Sequence, residues 1–312
     1  MRISRRTMLK LMVGSTLAAS TPQMLRAAPG TPSSALGILR GRIERAVGNL
    51  EIGVDLRQVD PDTGERFFQI QVNAERLYPV ASCFKTWLAL YYFWQTPHAD
   101  WQFGEGSDVY SVVVYSNNAR TGSLIYQVGE RINVFGNAVE KFNDFLLFQV
   151  GMQNGLYRWS WEGNPIEEFR DIRFYPSLSE RHTDIHGIRY ELDNLCTVTD
   201  LADGYAFMLA NQFDNTHGEA IRTTLNLCSI EVPAYPSPIE RSFAREYTGK
   251  DGVLPAEPEG LGRVLNDAGI IRVGRGTYIL AFLCAGEGEY TGLEVMRQIA
   301  TALEEFEERE WD

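Results

Sequence analysis

Basic residues, metal ligands and long apolar runs are all in short supply in this sequence. Lys and Arg number 29 against 41 Asp and Glu, a formal net charge of −12. Sequence-independent DNA or RNA binding needs clustered positive charge, so nucleic acid is not an expected partner. There are four histidines, His98, His182, His186 and His217. His182 and His186 stand four apart in HTDIH, a spacing that can hold a metal on a helix. That stretch lacks helical character and the glutamate of H-E-x-x-H, so neither a metal site nor a cofactor is expected. The four cysteines, Cys83, Cys196, Cys228 and Cys284, include no C-x-x-C pair, which argues against structural zinc. After the amino-terminal stretch no apolar run reaches membrane-spanning length, so the mature chain is expected to be soluble. There is no internal repeat.

The amino terminus reads differently from the rest. MRISRRTMLKLMVGSTLAAS has a basic start, an Arg5-Arg6 pair and an apolar run too short for a comfortable membrane span. Residues 1–28 read as an export signal, and SRRTMLK resembles the twin-arginine motif S-R-R-x-F-L-K, with Met8 where Phe is usual. A translocase is therefore an expected partner, and the periplasm or the exterior the expected location. Residues 29–35 read as a linker. The first 28 residues hold five basic and no acidic side chains, so the mature chain would carry 24 basic against 41 acidic, or −17. An exported chain can form disulfides, but four cysteines allow three full pairings and the spacing selects none. The sequence does not fix an oligomeric state.

The order of elements is the next guide. LGILRGRIERAVGNL, from Leu36, has helical periodicity. EIGVDLRQV and RFFQIQVN read as two strands of a hairpin across the turn DPDTG. Residues 82–94 form an apolar and hence buried helix. NARTGSLIYQVG and VTDLADGYAFMLANQF are helical stretches of a mixed middle region. RSFAREYTG, GRVLNDAGIIRVG and TYILAFLCAG read as strands, and a last helix covers about 291–307. These give an α+β fold: an antiparallel sheet flanked by amino- and carboxy-terminal helices, with a mainly helical lobe inserted. The single domain spans 36–312, with a sheet lobe of 36–80 and 240–312 and a helical lobe of 81–239. Clefts between such lobes are common binding sites.

Three short stretches carry chemistry. SCFK holds Ser82 and Lys85 at the start of the buried helix. YSNNARTGSLI holds Ser116, Asn117 and Asn118 before another helix. YTGKDGVLP holds Lys250, Asp251 and Gly252 at a strand and turn. A hydroxyl is a poor nucleophile until a base takes its proton. Residues three apart share a helix face, so Lys85 can reach Ser82. Burial and a neighbouring cation such as Lys250 both lower a lysine's pKa, which would leave Lys85 neutral often enough to act as that base. SCFK taken by itself fits a helix cap and a snorkelling lysine better. The other two stretches likewise fit a capping turn and a hairpin with an exposed lysine.

S-x-x-K, then S-x-N, then K-D-G in this order resembles the signature S-x-x-K, S-x-N, K-T-G of the serine β-lactamase and penicillin-binding protein superfamily, especially its class A-like serine hydrolases. NLCTVTDLADGYAFML and GRVLNDAGIIRVGRGTYILAFLCAG are similar to further stretches of that family, so the likeness covers roughly residues 36–310. The resemblance implies a β-lactamase/transpeptidase-like fold and an acyl-enzyme on Ser82, with Lys85 as base. Ser116 would pass the proton to the leaving group, and Asn118 would hold Lys85 and the substrate amide. Lys250, Asp251, Gly252 and Val253 would line the substrate site, with Ser82 and Val253 supplying oxyanion N–H groups. The implied substrate is a small or peptidoglycan-derived amide.

Two departures from the family pattern stand out. Asp251 replaces the usual Thr or Ser; a hydroxyl donates to a substrate carboxylate, whereas an ionised Asp repels it. The E-x-x-L-N glutamate that activates the deacylating water in class A enzymes has no match. ELDN at 191–194 is the nearest echo, with Glu167, Glu168 and Asp184 as candidates without motif support. A long-lived acyl-enzyme is the expectation. The rival expectation is a non-catalytic envelope binding protein that retains the fold. Trp159 and Trp161 are assigned to packing rather than to a cleft wall.

Overall fold

The computed structural model describes residues 33–131, 138–153, 195–232, 236–243, 246–254 and 264–311. The signal, most of the linker, His182, His186, Trp159, Trp161, Glu167, Glu168, Asp184 and residues 191–194 lie outside these.

One five-stranded antiparallel sheet is built from both ends of the chain, as expected. Strands β1 (Ile52–Val59) and β2 (Arg66–Val72) come from the amino-terminal side. Strands β5 (Tyr247–Leu254), β6 (Val264–Val273) and β7 (Gly276–Cys284) come from the carboxy-terminal side. The order across the sheet is β2-β1-β7-β6-β5, so β1 and β7 join the two halves. A short pair, β3 (Tyr78–Pro79) and β4 (Leu195–Cys196), forms a separate ladder.

The two faces of the sheet build two cores, and β7 shows the division residue by residue. Tyr278, Leu280, Phe282 and Cys284 face the terminal helices α1 (Ser33–Val47) and α9 (Glu289–Trp311). Ile279, Ala281 and Leu283 face the helical lobe. This is the period-two alternation of a strand covered on both sides. Full burial of such a Leu or Ile side chain is worth about 1.5–3 kcal/mol.

The helical lobe surrounds α2 (Lys85–Gln95), in which every residue from Lys85 to Phe93 is buried. Around it lie α3 (Asp108–Val113), α4 (Asn118–Arg131), α5 (Ala138–Phe145), α6 (Val198–Asn211) and α7 (Gly218–Cys228). Gly204 in α6 leaves room for the Trp87 ring, which a Cβ there would meet at 2.5 Å. All four cysteines are buried thiols.

Three expected elements differ in detail. Helix α1 starts at Ser33, so the last residues of the expected linker are helical. The expected strand RSFAREYTG begins only at Tyr247, because Arg241–Phe243 close a short helix, α8 (Pro238–Phe243). Ser237 and Glu240 start that helix as a capping box: Glu240 N donates to Ser237 Oγ at 3.1 Å, and Ser237 N donates to Glu240 Oε2 at 2.5 Å. The expected helix over 82–94 is split, with a 3-10 turn at Ala81–Phe84 running into α2.

Candidate active site

The split at the start of α2 bears directly on Ser82 and Lys85. Lys85 N donates to Ser82 O across the 3-10 turn. In 3-10 geometry residues i and i+3 eclipse, so the two side chains leave the backbone in the same direction. Ser82 is half-buried and Lys85 is 1% exposed. Ala81, immediately before Ser82, holds φ at +47°. A non-glycine residue in that region costs about 1–2 kcal/mol and persists where its surroundings fix it.

Lys85 Nζ has three acceptors: Ser116 O at 2.7 Å, Ser116 Oγ at 3.2 Å and Asn118 Oδ1 at 2.6 Å. Among the described residues no hydrogen bond joins Lys85 Nζ to Ser82 Oγ. The structure thus brings Lys85, Ser116 and Asn118 into contact, with Ser82 one turn away. Ser116 also has positive φ, +54°, so strained backbone lies at Ser116 itself and immediately before Ser82. Asn117 points elsewhere. Its Oδ1 accepts Arg120 N at 3.0 Å and caps α4. The expected capping turn and the expected polar contacts to Lys85 thus coexist in one tripeptide.

Burial, first, and the nearby charge of Lys250, second, push the Lys85 pKa down to about 7, while Asp251 pulls it the other way. A buried ammonium with only neutral acceptors is held far less firmly than one facing a carboxylate. At neutral pH a large share of Lys85 is therefore the free amine. In that form Ser116 Oγ can donate to it, and the two remaining N–H groups still serve Ser116 O and Asn118 Oδ1.

Strand β5 forms the opposite wall. Gly252 abuts the Ser82 turn so closely that a Cβ there would lie 2.6 Å from Ser82 N and 2.8 Å from the Ala81 Cβ. Val253, next along the strand, is 51% exposed, so this end of β5 is open to solvent. Lys250 is buried and donates to Asp251 Oδ1 at 2.6 Å and to Asp251 O at 3.1 Å. Lys250 and its own neighbour thus form an ion pair on the wall. Asp251 stands opposite Asp267 of β6 in the strand register. Asp267 is fully buried and accepts Ile239 N at 2.8 Å and the Tyr247 hydroxyl. The sequence reading missed Asp267, because nothing in NDAGII marks a buried carboxyl. Among the described residues no group of three or more His, Cys, Asp or Glu is placed to hold a metal ion.

The architecture has known counterparts. A class A β-lactamase from Bacteroides cellulosilyticus superposes with a TM-score of 0.60 at 12% identity, covering 87% of this chain and 98% of that one. The fold is that of the class A β-lactamases. The β-lactamase from Sphaerobacter thermophilus gives 0.58 at 18% identity, over 86% and 95% of the two chains. A variant of PBP-A, solved as its acyl-enzyme complex with penicillin G, gives 0.52 at 16% identity, over 89% and 99%. No protein-family model and no curated protein matches the sequence. Identities this low establish the fold and leave the chemistry to the residues themselves.

Proposed function

We propose that this chain is a serine hydrolase of the β-lactamase and penicillin-binding type, forming an acyl-enzyme on Ser82. The observation that carries the reading is Lys85: buried, held by Ser116 and Asn118, with its pKa pushed down to about 7, and one 3-10 turn from Ser82. As Ser82 Oγ attacks the substrate carbonyl carbon, the Lys85 amine takes its proton. The oxyanion is received by Ser82 N–H and Val253 N–H, beside the close approach of Gly252. The proton then travels from Lys85 through Ser116 to the leaving atom as the scissile bond breaks. Asn118 keeps Lys85 in place and turns toward the substrate amide.

Hydrolysis of the ester is the slower half. It needs a base for water, and the E-x-x-L-N glutamate that supplies one in class A enzymes has no match in the sequence. The acyl-enzyme should therefore persist. The substrate is a small or peptidoglycan-derived amide or ester, met in the cell envelope after export by the twin-arginine-type signal. Among the described residues no helix is long and apolar enough to cross a membrane.

The test is intact mass after incubation with a fluorescent penicillin or an activated ester probe. A covalent adduct that is lost in Ser82→Ala supports the reading. No adduct with any probe leaves an envelope binding protein that keeps the fold without the chemistry.

A further inference from the structure

We propose that the site selects acyl donors whose leaving group carries a hydrogen-bond donor, such as a carboxamide or a hydroxyl, and rejects those bearing a carboxylate, with Asp251 as the specificity residue. The inference rests on the serine hydrolase reading above and refines its substrate.

Three observations converge on it. The first is position: Asp251 directly precedes Gly252, whose backbone lies against Ser82 N, and its carboxylate reaches the ammonium of Lys250 on the same strand. The second is pairing. Lys250 donates to Asp251 Oδ1 at 2.6 Å, and their side chains are 6% and 35% exposed. The buried ammonium that would attract an anion is thus matched within the protein, and a carboxylate would have to compete with a permanent neighbour. The third is chemistry. An ionised carboxylate only accepts hydrogen bonds, and Lys250 uses one of its two oxygens. The other, on a partly exposed side chain, asks for a donor. A substrate carboxylate placed here meets the Asp251 carboxylate, with the Lys250 ammonium already paired to it.

The experiment uses two thioesters with the same acyl group, one releasing mercaptoacetate and the other mercaptoacetamide. In each, Ser82 Oγ bonds to the acyl carbon, the C–S bond breaks, and the departing sulfur takes the proton lost by Ser82. Acylation rates of the purified mature protein, normalised to spontaneous hydrolysis, are compared with those of Asp251→Thr and Asp251→Asn. The carboxamide should react about tenfold or more faster than the carboxylate in the unaltered protein. Asp251→Thr, which restores a donor and releases Lys250, should reverse the preference. Asp251→Asn, which keeps the shape and drops the charge, should narrow it even if the Thr variant folds poorly. Adducts on Ser82 that form equally with both thioesters, or faster with the carboxylate, overturn the proposal and leave the hydrolase reading standing. No Ser82 adduct with either overturns both.

Discussion

A Cβ on Gly252 would lie 2.6 Å from the backbone nitrogen of Ser82 and 3.1 Å from that of Cys83. Both neighbours are backbone, so neither can rotate away. Gly252→Ala must therefore push β5 off the Ser82 turn, which moves Val253 away from the place where an oxyanion would form. Overpacking of this kind costs about 1–3 kcal/mol. The expected outcome is a lower thermal midpoint together with loss of the probe adduct by intact mass. An Ala variant that acylates at the normal rate would show that the β5 contact has no part in the chemistry.

Acylation should follow the charge on Lys85. With its pKa pushed down to about 7, the amine is mostly protonated at pH 6 and mostly free at pH 8. The labelling rate should rise about tenfold per pH unit below that value and level off above it. Lys85→Met, similar in length but unable to take a proton, should slow labelling by about 10²–10⁴-fold. Rates measured from pH 5 to 9 decide this. A flat profile in the unaltered protein would assign the base to another group.

Asn118 is predicted to act through Lys85 as well as on the substrate. Its Oδ1 lies 2.6 Å from Nζ, so Asn118→Asp sets a carboxylate against the ammonium. An opposite charge at that range favours the charged form by about 1–3 pKa units. The pH–rate curve should move to the alkaline side by that amount. Asn118→Ala should slow labelling without an alkaline shift. A purely structural role for Asn118 would lower the rate in both variants and leave the curve in place.

Much of this site was legible because its parts are sequence-local. Ser82 and Lys85 are three apart, and the Ser116–Asn118 tripeptide contributes both of the side chains that meet Lys85. The strands were legible as short apolar runs broken by Gly- and Pro-containing turns, and β7 is buried over its whole length. What escaped depends on long-range packing or on backbone detail. RSF reads as strand by composition, yet the S-x-x-E pair formed by Ser237 and Glu240 caps a helix there. The pattern was present in the sequence and was outweighed by the residues that follow it. The 3-10 turn at Ala81–Phe84 leaves no compositional trace, and neither does the positive φ at Ala81. The Lys250–Asp251 pair is adjacent in sequence, but only the burial of Lys250 shows that the two charges turn to each other.

Asp267 makes a prediction about stability rather than rate. Burial, foremost, and then the charge of Asp251 push its pKa up from 3.8 to about 7, against the hydrogen bonds from Tyr247, Ile239 and Ser237. The native state therefore holds this proton more tightly than the unfolded chain does. The resulting stabilisation is fully present below about pH 4 and is lost as pH rises through about 7. Asp267→Asn removes the titration while keeping an oxygen that can accept Ile239 N, which donates at 2.8 Å in the unaltered protein. The variant should accordingly gain on the unaltered protein as the pH is raised. Urea midpoints at pH 5 and pH 8 measure this: the difference between the two proteins should shift toward the Asn variant at pH 8. A difference that stays constant between the two pH values would mean that Asp267 is ionised in the fold throughout, with its charge balanced by the groups that donate to it.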